Sequence, residues 1–303
     1  MPEKGIALDR KKLYMLLGDL AILLVAFIWG ATNVVIRDTL SGITPFWFCA
    51  LRFIIASATV FAIFGRRALA MPKRIQATGA AVGAVFIAAY LVGAVALLYT
   101  TAGNQSFIIS MSVVFVPLLV WIITKKFPGW YVIAAVVLCT TGMAGLMIDS
   151  SFSVNYGDAL CFVSMMCVTA YVLLVQKFVG ATDPYGFSCW QALGGMAAAL
   201  ATALIFEPIP AALSKSVWIA IIYAATIGFA LTLVLQNIAQ KYTTATHAAI
   251  LLSTSSIFGS LLGVIFIGEP MTWRIFTASA LILLGVLTVE ALPALKKMGR
   301  DKA

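Results

Sequence analysis

The chain has 303 residues, of which 62% are hydrophobic and only 10% are charged, and its formal net charge is +9. A mean hydropathy of +1.05 excludes a soluble globular protein, because so much apolar surface could not be covered in water. The composition predicts an integral membrane protein. Its basic residues lie between apolar stretches rather than on one folded face, which favours the lipid bilayer over nucleic acid as the partner.

Ten apolar stretches are long enough to cross a bilayer, which takes about 20 residues in a helix. They are continuous and rich in Ala, Leu and Gly, so they predict helices rather than the short alternating strands of an outer-membrane barrel. The first stretch is too long for the apolar region of a cleaved signal peptide. The predicted spans are 13–35, 45–64, 75–100, 104–124, 130–148, 157–179, 184–206, 216–240, 245–267 and 273–292.

The distribution of Lys and Arg predicts the orientation of these spans, since basic residues collect in cytoplasmic loops. Arg37, Lys215 and Arg274 fall on one side of the predicted topology, and Arg52 lies inside a span. The remaining 16 of the 20 Lys and Arg residues fall on the side that carries both termini. We therefore expect both termini to be cytoplasmic and the protein to lie in the plasma (inner) membrane.

One half of the chain is a diverged copy of the other. Residues 99–119 read YTTAGNQSFIISMSVVFVPLL and residues 242–262 read YTTATHAAILLSTSSIFGSLL, an offset of 143 positions. Nearer the N-terminus the offset is 139, and there Gly-Asp at Asp19 corresponds to Gly-Asp at Asp158. Internal duplication of an apolar chain is typical of secondary transporters.

The duplication predicts the architecture. We divide the chain into a first repeat, 1–150, and a second repeat, 151–303, each with five predicted spans. Because five is an odd number, the second repeat would enter the membrane upside down relative to the first. The sequence therefore predicts an all-α membrane fold of ten transmembrane helices, arranged as two inverted five-helix repeats around a central cavity.

Arg52 is the clearest ionisable residue within a span, and such residues are functional hypotheses by default. Its charge could hold an anionic group of the substrate, or its guanidinium could anchor the helix on backbone carbonyls. The corresponding residue of the second repeat is the neutral Gln191, which favours the anchor. Both interpretations stay open.

Asp19 and Asp158 begin the first span of each repeat, where free backbone amides and the helix dipole stabilise a carboxylate. Asp19 could instead act in a proton-linked gate. His247 is the only histidine, and histidine titrates near neutral pH, although a polar residue at a helix start is commonly just solvated. Asp19 and His247 are the candidate coupling residues.

Uncharged polar side chains within spans turn away from lipid and either contact substrate or join helices. Aromatic side chains among them could stack on aromatic groups or hold an ammonium group. Together with Arg52, the candidate substrate-binding residues are Trp29, Asn33, Tyr90, Tyr99, Gln105, Ser106, Tyr171, Gln236, Asn237, Ser253 and Ser255.

Pro117 in the fourth span and Gly259 in the ninth predict helix breaks at similar depth, which in transporters point to the binding region. The five cysteines are scattered within spans and form no CxxC or Cys/His cluster. We therefore expect no metal site and no disulfide. The sequence has no phosphate-binding Gly-rich loop, so we expect no cofactor and no direct coupling to ATP.

Four short motifs, in this order, carry a resemblance to a known family. They are Trp29-Gly30, the Ala-Leu-Arg-Phe of 50–53, the run 99–117 that ends in Pro117, and Gly268-Glu269. The chain resembles the drug/metabolite transporter superfamily, EamA type, over nearly its whole length and in both repeats. The resemblance implies a central cavity formed mainly by spans 1, 3, 4, 6, 8 and 9.

The resemblance also implies export or exchange of small metabolites such as amino acids. Small four-helix multidrug members of the superfamily rely on a Glu in the middle of their first span, whereas residues 21–35 contain no acidic residue here. This departure argues against antiport of cationic drugs. The Gly-Glu motif at Glu269 is present only in the second repeat, and the first has Lys125-Lys126 instead.

These observations predict a secondary transporter that moves a small metabolite, an amino acid or a related compound, by alternating access. The alternatives are a flippase for a lipid-linked substrate or a drug-efflux protein of the same fold. A polytopic membrane enzyme would need a catalytic constellation such as HExxH or paired Asp, and a single histidine argues against it. The chain is long enough for one complete pathway, so we expect a monomer to suffice, with a weak homodimer as the alternative.

Overall fold

Every regular element in the part of the chain that the structure describes is a helix. The computed structural model describes residues 2–36, 42–96, 98–100, 105, 108–147, 156–210, 212–267 and 272–300. Its α-helices are α1 (Pro2–Ile36), α2 (Pro45–Leu69), α3 (Lys73–Ala96), α4 (Ser112–Thr124), α5 (Trp130–Met147), α6 (Tyr156–Val179), α7 (Pro184–Phe206), α8 (Lys215–Ala225), α9 (Thr232–Gln240), α10 (Ala245–Leu252), α11 (Ser255–Leu262) and α12 (Trp273–Arg300).

The helices confirm an integral membrane protein. By length and composition, seven of them can cross a membrane: Leu13–Thr32, Pro45–Leu69, Lys73–Ala96, Tyr156–Val179, Pro184–Phe206, Lys215–Gln240 and Ala245–Phe266. Three shorter apolar helices are Ile108–Thr124, Trp130–Gly145 and Ile275–Val289. These segments coincide in order with the ten predicted spans, although among the described residues seven reach the length that a crossing needs.

The most extensive packing joins α2 to α7, α5 to α12, and α3 to both α6 and α7. Small residues allow this close approach, as is usual between helices in lipid. A Cβ atom added to Gly142 of α5 would lie 2.7 Å from the carbonyl oxygen of Ala278. One added to Gly285 of α12 would lie 2.9 Å from the carbonyl oxygen of Ala135. Since both pairs of positions are offset by 143, the two helices present the same surface to each other.

The fourth and ninth spans are interrupted, but not where the sequence analysis expected. Pro117 lies inside α4 and Gly259 lies inside α11. The interruptions fall before these helices, at Met111 (φ −61°, ψ −10°) and Thr254 (φ −65°, ψ −14°). Met111 and Thr254 differ by 143 positions, so equivalent residues of the two repeats interrupt their helices with nearly the same backbone geometry.

Side-chain hydroxyls explain the interruption in the ninth span. Ser253 Oγ donates to the carbonyl of Ile250 at 2.6 Å, and Thr254 Oγ1 donates to the carbonyl of Leu251 at 2.7 Å. Hydroxyls that bond to nearby carbonyls compete with the backbone ladder. Gly259 serves packing instead, because its Cα faces the backbone of Gly30 in α1, where a Cβ on Gly30 would come within 2.7 Å of the Gly259 nitrogen.

The eighth span contains a second irregularity that the sequence analysis did not predict. Between α8 and α9, residues Thr226–Leu231 form a π-helical turn. There the backbone N–H of Thr232 bonds to the carbonyl of Phe229, three residues earlier, instead of the residue four earlier as in an α-helix. Such turns are rare in proteins, and those that occur often lie at functional sites.

Candidate functional site

Arg52 is buried and binds the π-helical turn of the eighth span. Only 6% of its surface is exposed. Its Nε donates to the carbonyl of Ala224 at 3.2 Å, and its Nη2 donates to the carbonyl of Gly228 at 3.4 Å. No described carboxylate forms an ion pair with it. The guanidinium therefore anchors α2 on the irregular backbone while its positive charge stays uncompensated by a described acidic side chain.

Aromatic rings surround this guanidinium. Its carbon lies 5.4 Å from the ring centre of Phe229 and 5.8 Å from that of Tyr90. Phe86 joins the cluster, with ring centres 5.6 Å from Phe229, 5.2 Å from Tyr90 and 4.3 Å from Tyr171. Aromatic faces attract a cation, so α2, α3, α6 and the eighth span meet around one charged and partly desolvated group.

Tyr90 and Tyr171 take different positions in this cluster. Tyr171 is only 1% exposed, and its hydroxyl has no hydrogen-bond partner among the described residues. Tyr90 is 37% exposed although its neighbours Arg52 and Phe86 are buried. Tyr90 is therefore the exposed member of the aromatic cluster that surrounds the buried charge.

Trp29 connects the first span to the same turn. Its indole Nε1 donates to Thr232 Oγ1 at 3.1 Å, and Thr232 Oγ1 donates in turn to the carbonyl of Gly228 at 2.9 Å. The Gly228 carbonyl thus accepts bonds from Thr232 and Arg52 together. The structure brings Trp29, Arg52, Tyr90 and Tyr171, predicted separately from four spans, to one region of the bundle.

Gln236 and Asn237 lie in a buried group of amide side chains. Asn237 Nδ2 donates to Ser188 Oγ at 2.7 Å and to Gln191 Oε1. Gln176 Nε2 donates to the backbone carbonyl of Gln240 at 3.2 Å. Among the amide side chains of this group, the atoms without a partner in the described part of the chain are Gln176 Oε1, Gln191 Nε2, Gln236 Nε2, Asn237 Oδ1 and both side-chain atoms of Gln240. Unpaired buried amide atoms are costly, so a polar ligand atom or water placed here would gain bonds.

The two aspartates that the repeat relates make equivalent hydrogen bonds. Asp19 Oδ1 accepts a bond of 2.6 Å from Thr243 Oγ1, and Asp158 Oδ1 accepts a bond of 2.5 Å from Thr100 Oγ1. Thr100 and Thr243 are also repeat mates, 143 positions apart. Each repeat therefore supplies the aspartate of one pair and the threonine of the other.

These two pairs lie at opposite ends of the bundle. Asp158 begins α6, and Thr243 follows the end of α9. Between those points the chain runs the full length of α6, of α7 and of the eighth span, three consecutive long segments. Because three is an odd number, the Asp158–Thr100 pair is at one end and the Asp19–Thr243 pair is at the other.

The remaining predicted site residues are dispersed. The backbone N–H of His247 bonds to the hydroxyl of Thr244, which caps α10. Tyr99 is 54% exposed and packs edge-on against Tyr156 with ring centres 5.4 Å apart. Gln105 Nε2 donates to the carbonyl of Gly93.

Ser253 and Ser255 flank the interruption of the ninth span, where Ser253 bonds to its own helix. Two predicted candidates lie outside the described residues, namely Ser106 as a whole and the side chain of Asn33. The Gly268-Glu269 motif lies outside them as well.

Comparison with known families settles the class of protein. The sequence profile of the EamA-like transporter family matches residues 16–148 and again residues 155–290. The chain belongs to the EamA-like transporter family. The resemblance seen in the motifs is thereby confirmed, and the family indicates a membrane transporter rather than an enzyme.

Relatives of this EamA-like chain span almost its whole length. It is 28% identical over 288 residues to an uncharacterized transporter of Archaeoglobus fulgidus, which covers 95% of this chain and 89% of the relative. It is 27% identical over 297 residues to the uncharacterized transporter YwfM of Bacillus subtilis, covering 92% and 95%. A solved crystal structure aligns with a TM-score of 0.79 at 18% identity, covering 92% of this chain and 98% of the other, which shows a shared fold.

Sequence reasoning missed several residues of this EamA-like fold. Thr100, Thr243 and Thr232 were unremarkable as single threonines, although the repeat, which also matches Asp19 with Asp158, offered a signal for the first two. Glu207 was also missed. Its carboxylate accepts bonds from the backbone N–H of Phe46 at 3.1 Å and of Trp47 at 2.9 Å, so a residue after α7 stabilises the N-terminus of α2.

The described residues contain no group of three or more His, Cys, Asp or Glu side chains that could hold a metal ion. The five cysteines are free, and all but Cys167 are buried. The region around Arg52 offers one cation, aromatic faces and hydroxyls as groups that can bind a ligand.

Proposed function

We propose that the protein is a secondary transporter that moves a small polar or amphipathic metabolite by alternating access. In this proposal residues 1–150 and 151–303 are two inverted five-helix repeats around a central cavity, and the termini are cytoplasmic in the plasma (inner) membrane. The twofold match to the family profile, at 16–148 and 155–290, supports the division. The equivalent packing of α5 against α12 supports a symmetric relation between the repeats.

The exchanged pairs Asp19–Thr243 and Asp158–Thr100 are the observation that carries the proposal. Each pair joins the first span of one repeat to the third-span end of the other repeat, at opposite ends of the bundle. Rocking one repeat against the other would break one bond and keep the other. Each bond joins an aspartate carboxylate to a threonine hydroxyl. Opening at either end would therefore cost a similar free energy, of the order of 1.5–3 kcal/mol for a hydrogen bond to a charged group.

The cargo would bind near Arg52, where the first, second, third, sixth and eighth spans meet. The buried positive charge suits a carboxylate or another anionic group, and the accessible ring of Tyr90 suits an apolar or aromatic part of the same molecule. Trp29 would border this space. These groups favour an amino acid or a related compound, and the direction of transport in the proposal is export or exchange.

Asp19 and His247 remain the proposed coupling residues. Asp19 is 7% exposed and lies in the pair at one end, while His247 begins the helix that follows Thr243. A proton bound to Asp19 would remove the charge that Thr243 stabilises. Protonation would therefore favour opening of that end, whereas Asp158 at the opposite end has no histidine at the corresponding position, Asn104.

The cargo is identified first, with purified protein in mild detergent. Its melting temperature is measured against amino acids, polyamines, nucleosides, sugars and sugar phosphates. A ligand at 100 times its dissociation constant adds about 2.7 kcal/mol to stability. A shift confined to one chemical class names the cargo. No shift with any soluble compound would contradict the amino-acid assignment and favour a lipid-linked cargo.

Alternating access is then tested by locking each end. In a background with the five native cysteines replaced, the double variants Asp19→Cys with Thr243→Cys and Asp158→Cys with Thr100→Cys are bridged by a short thiol cross-linker. Either bridge alone should stop flux of the identified cargo down its own concentration gradient in proteoliposomes, which does not require the coupling residue Asp19. Cleaving the cross-link should restore the flux that the same variant had before bridging. The single-cysteine variants, treated in the same way, are the controls. Flux that persists with one bridge complete would contradict the proposal.

A further inference from the structure

A cavity of about 580 Å³ lies away from Arg52, at the end of the bundle where α2 and α6 end. Its lining includes Arg67, Met71, Ile75, Lys177, Phe178 and Asp183. The volume is within the range of about 300–1,000 Å³ that is usual for small-molecule sites. The lining combines two cations with apolar and aromatic groups, so it suits an amphipathic anion.

The wall of this cavity is held in place by hydrogen bonds from neighbouring helices. Gln76 Nε2 donates to the carbonyl of Met71 at 2.8 Å, and Trp190 Nε1 donates to the carbonyl of Ala68 at 3.0 Å. A Cβ on Gly186 would come within 2.6 Å of Met71 Sδ. The turn between α2 and α3 is thus fixed against α7, and the cavity is a built feature of the fold.

Positively charged side chains outnumber negatively charged ones in the lining of this cavity. Asp183 pairs with Arg67 at 3.6 Å and also accepts a bond of 3.1 Å from the backbone N–H of Gly186 at the start of α7. The negative charge of Asp183 is therefore matched by two neighbours. Lys177 has no described carboxylate within ion-pair distance, and its ammonium lies 5.3 Å from the ring centre of Phe178.

Further basic side chains surround the cavity at the same end. Arg66 stands in the last turn of α2, Lys73 and Arg74 begin α3, and Lys241 Nζ donates to the carbonyl of Thr182 at 3.5 Å. Among the described residues of these turns, Asp183 is the only acidic one. Because the apolar spans end at this level, the basic groups lie where lipid headgroups lie.

We propose that this cavity is a binding site for an anionic phospholipid, with the headgroup phosphate between Arg67 and Lys177 and the start of an acyl chain on Ile75 and Phe178. The cavity is larger than a free phosphate ion needs, and such an ion would make no use of its apolar wall. Because the cavity lies where the spans end, membrane lipids can reach it. The site is independent of the proposed transport pathway.

The test uses the full chain, delipidated in a zwitterionic detergent. Dioleoyl phosphatidylglycerol, dioleoyl phosphatidylcholine, glycerol phosphate and inorganic phosphate are titrated separately, and native mass spectrometry counts the bound molecules. The pocket variant is Arg67→Gln with Lys177→Gln. The matched control, Arg66→Gln with Lys73→Gln, removes the same charge at the same end from side chains outside the lining.

We expect one phosphatidylglycerol to bind at least about tenfold more tightly than phosphatidylcholine. The pocket variant should lose this preference, and the control should keep it. Arg67 pairs with Asp183, and its guanidinium carbon lies 4.7 Å from the ring centre of Tyr185. Lys177→Gln alone should weaken binding without disturbing these contacts, and Lys177→Arg should retain binding, so a folding defect is distinguished from loss of the site.

Three results would overturn the proposal. Equal losses in the pocket variant and the control would mean diffuse attraction to a basic surface. Equal affinity for glycerol phosphate or inorganic phosphate would mean a site for a soluble anion. Displacement of the lipid by the transported solute would mean that the cavity belongs to the transport pathway.

Discussion

The carboxylate of Asp19 accepts a hydrogen bond of 2.6 Å from the hydroxyl of Thr243, which lies 224 positions further along the chain. The repeat mates of these residues, Asp158 and Thr100, form the same bond at the other end of the bundle. The first span of each repeat is thus hydrogen-bonded to the other repeat through the same pair of residue types. We therefore expect the two bonds to stabilise closure of opposite ends of the bundle.

Asp19→Asn and Asp158→Asn should each loosen a different end of the bundle. Each variant weakens one charged hydrogen bond, and a change of about 1.4 kcal/mol corresponds to a tenfold change in an equilibrium. Hydrogen exchange in peptides around Thr243 should rise in Asp19→Asn, while exchange around Thr100 should rise in Asp158→Asn. Thr288→Val is the control, because its hydroxyl bonds within its own helix. Similar exchange changes at both ends in either variant would contradict the prediction.

Substitution of Arg52 should separate its anchoring role from its charge. Arg52→Lys keeps the positive charge but loses the planar fork that reaches the carbonyls of Ala224 and Gly228. Arg52→Gln loses both. We expect both variants to lower the melting temperature, by a destabilisation of about 1–3 kcal/mol for buried carbonyls left unpaired.

Cargo binding should distinguish the two Arg52 variants. Arg52→Lys should retain measurable ligand-induced stabilisation, whereas Arg52→Gln should lose it. Equal retention in both variants would mean that Arg52 only anchors α2. The measurement is the melting temperature with and without the cargo identified from the compound panel.

Gly142→Ala should destabilise the packing of α5 against α12. Its new Cβ would lie 2.7 Å from the carbonyl oxygen of Ala278, whereas a Cβ on Gly145 would lie 3.5 Å from the Ala278 side chain, an ordinary contact. Overpacking of this kind costs about 1–3 kcal/mol. Thermal unfolding in detergent should therefore show a clear loss for Gly142→Ala and little change for Gly145→Ala. Equal melting temperatures would mean that the two helices are further apart.

Glu207→Gln should loosen the start of α2. The carboxylate accepts bonds from the backbone N–H groups of Phe46 and Trp47 and from the hydroxyl of Thr44, and its negative charge complements the helix dipole. We expect a loss of about 1–2 kcal/mol, measured by thermal unfolding. Ser214→Ala, which removes a neutral cap from α8, is the comparison and should cost less. No loss in Glu207→Gln would show that water replaces the carboxylate at no cost.

The sequence by itself determined that this is a helical membrane protein with a duplicated chain. Span positions follow from hydropathy, which is a local property, and the seven helices that are long enough to cross a membrane begin and end within about five residues of predicted spans. The duplication follows from direct comparison of 99–119 with 242–262. The order of the four motifs, together with the predicted spans and the duplication, indicated the family.

Only the tertiary structure decided what the polar residues contact. Arg52 meets carbonyls 172 and 176 positions away, and Phe46 meets Glu207 161 positions away. No local pattern specifies such partners, because they depend on how the spans pack. The interruption at Thr254 arises from competition for backbone carbonyls. Helix propensity alone does not reveal it, nor does it reveal the π-helical turn at Thr226–Leu231 or the interruption at Met111. Hydropathy places a helix in the membrane, and packing decides which groups it brings together.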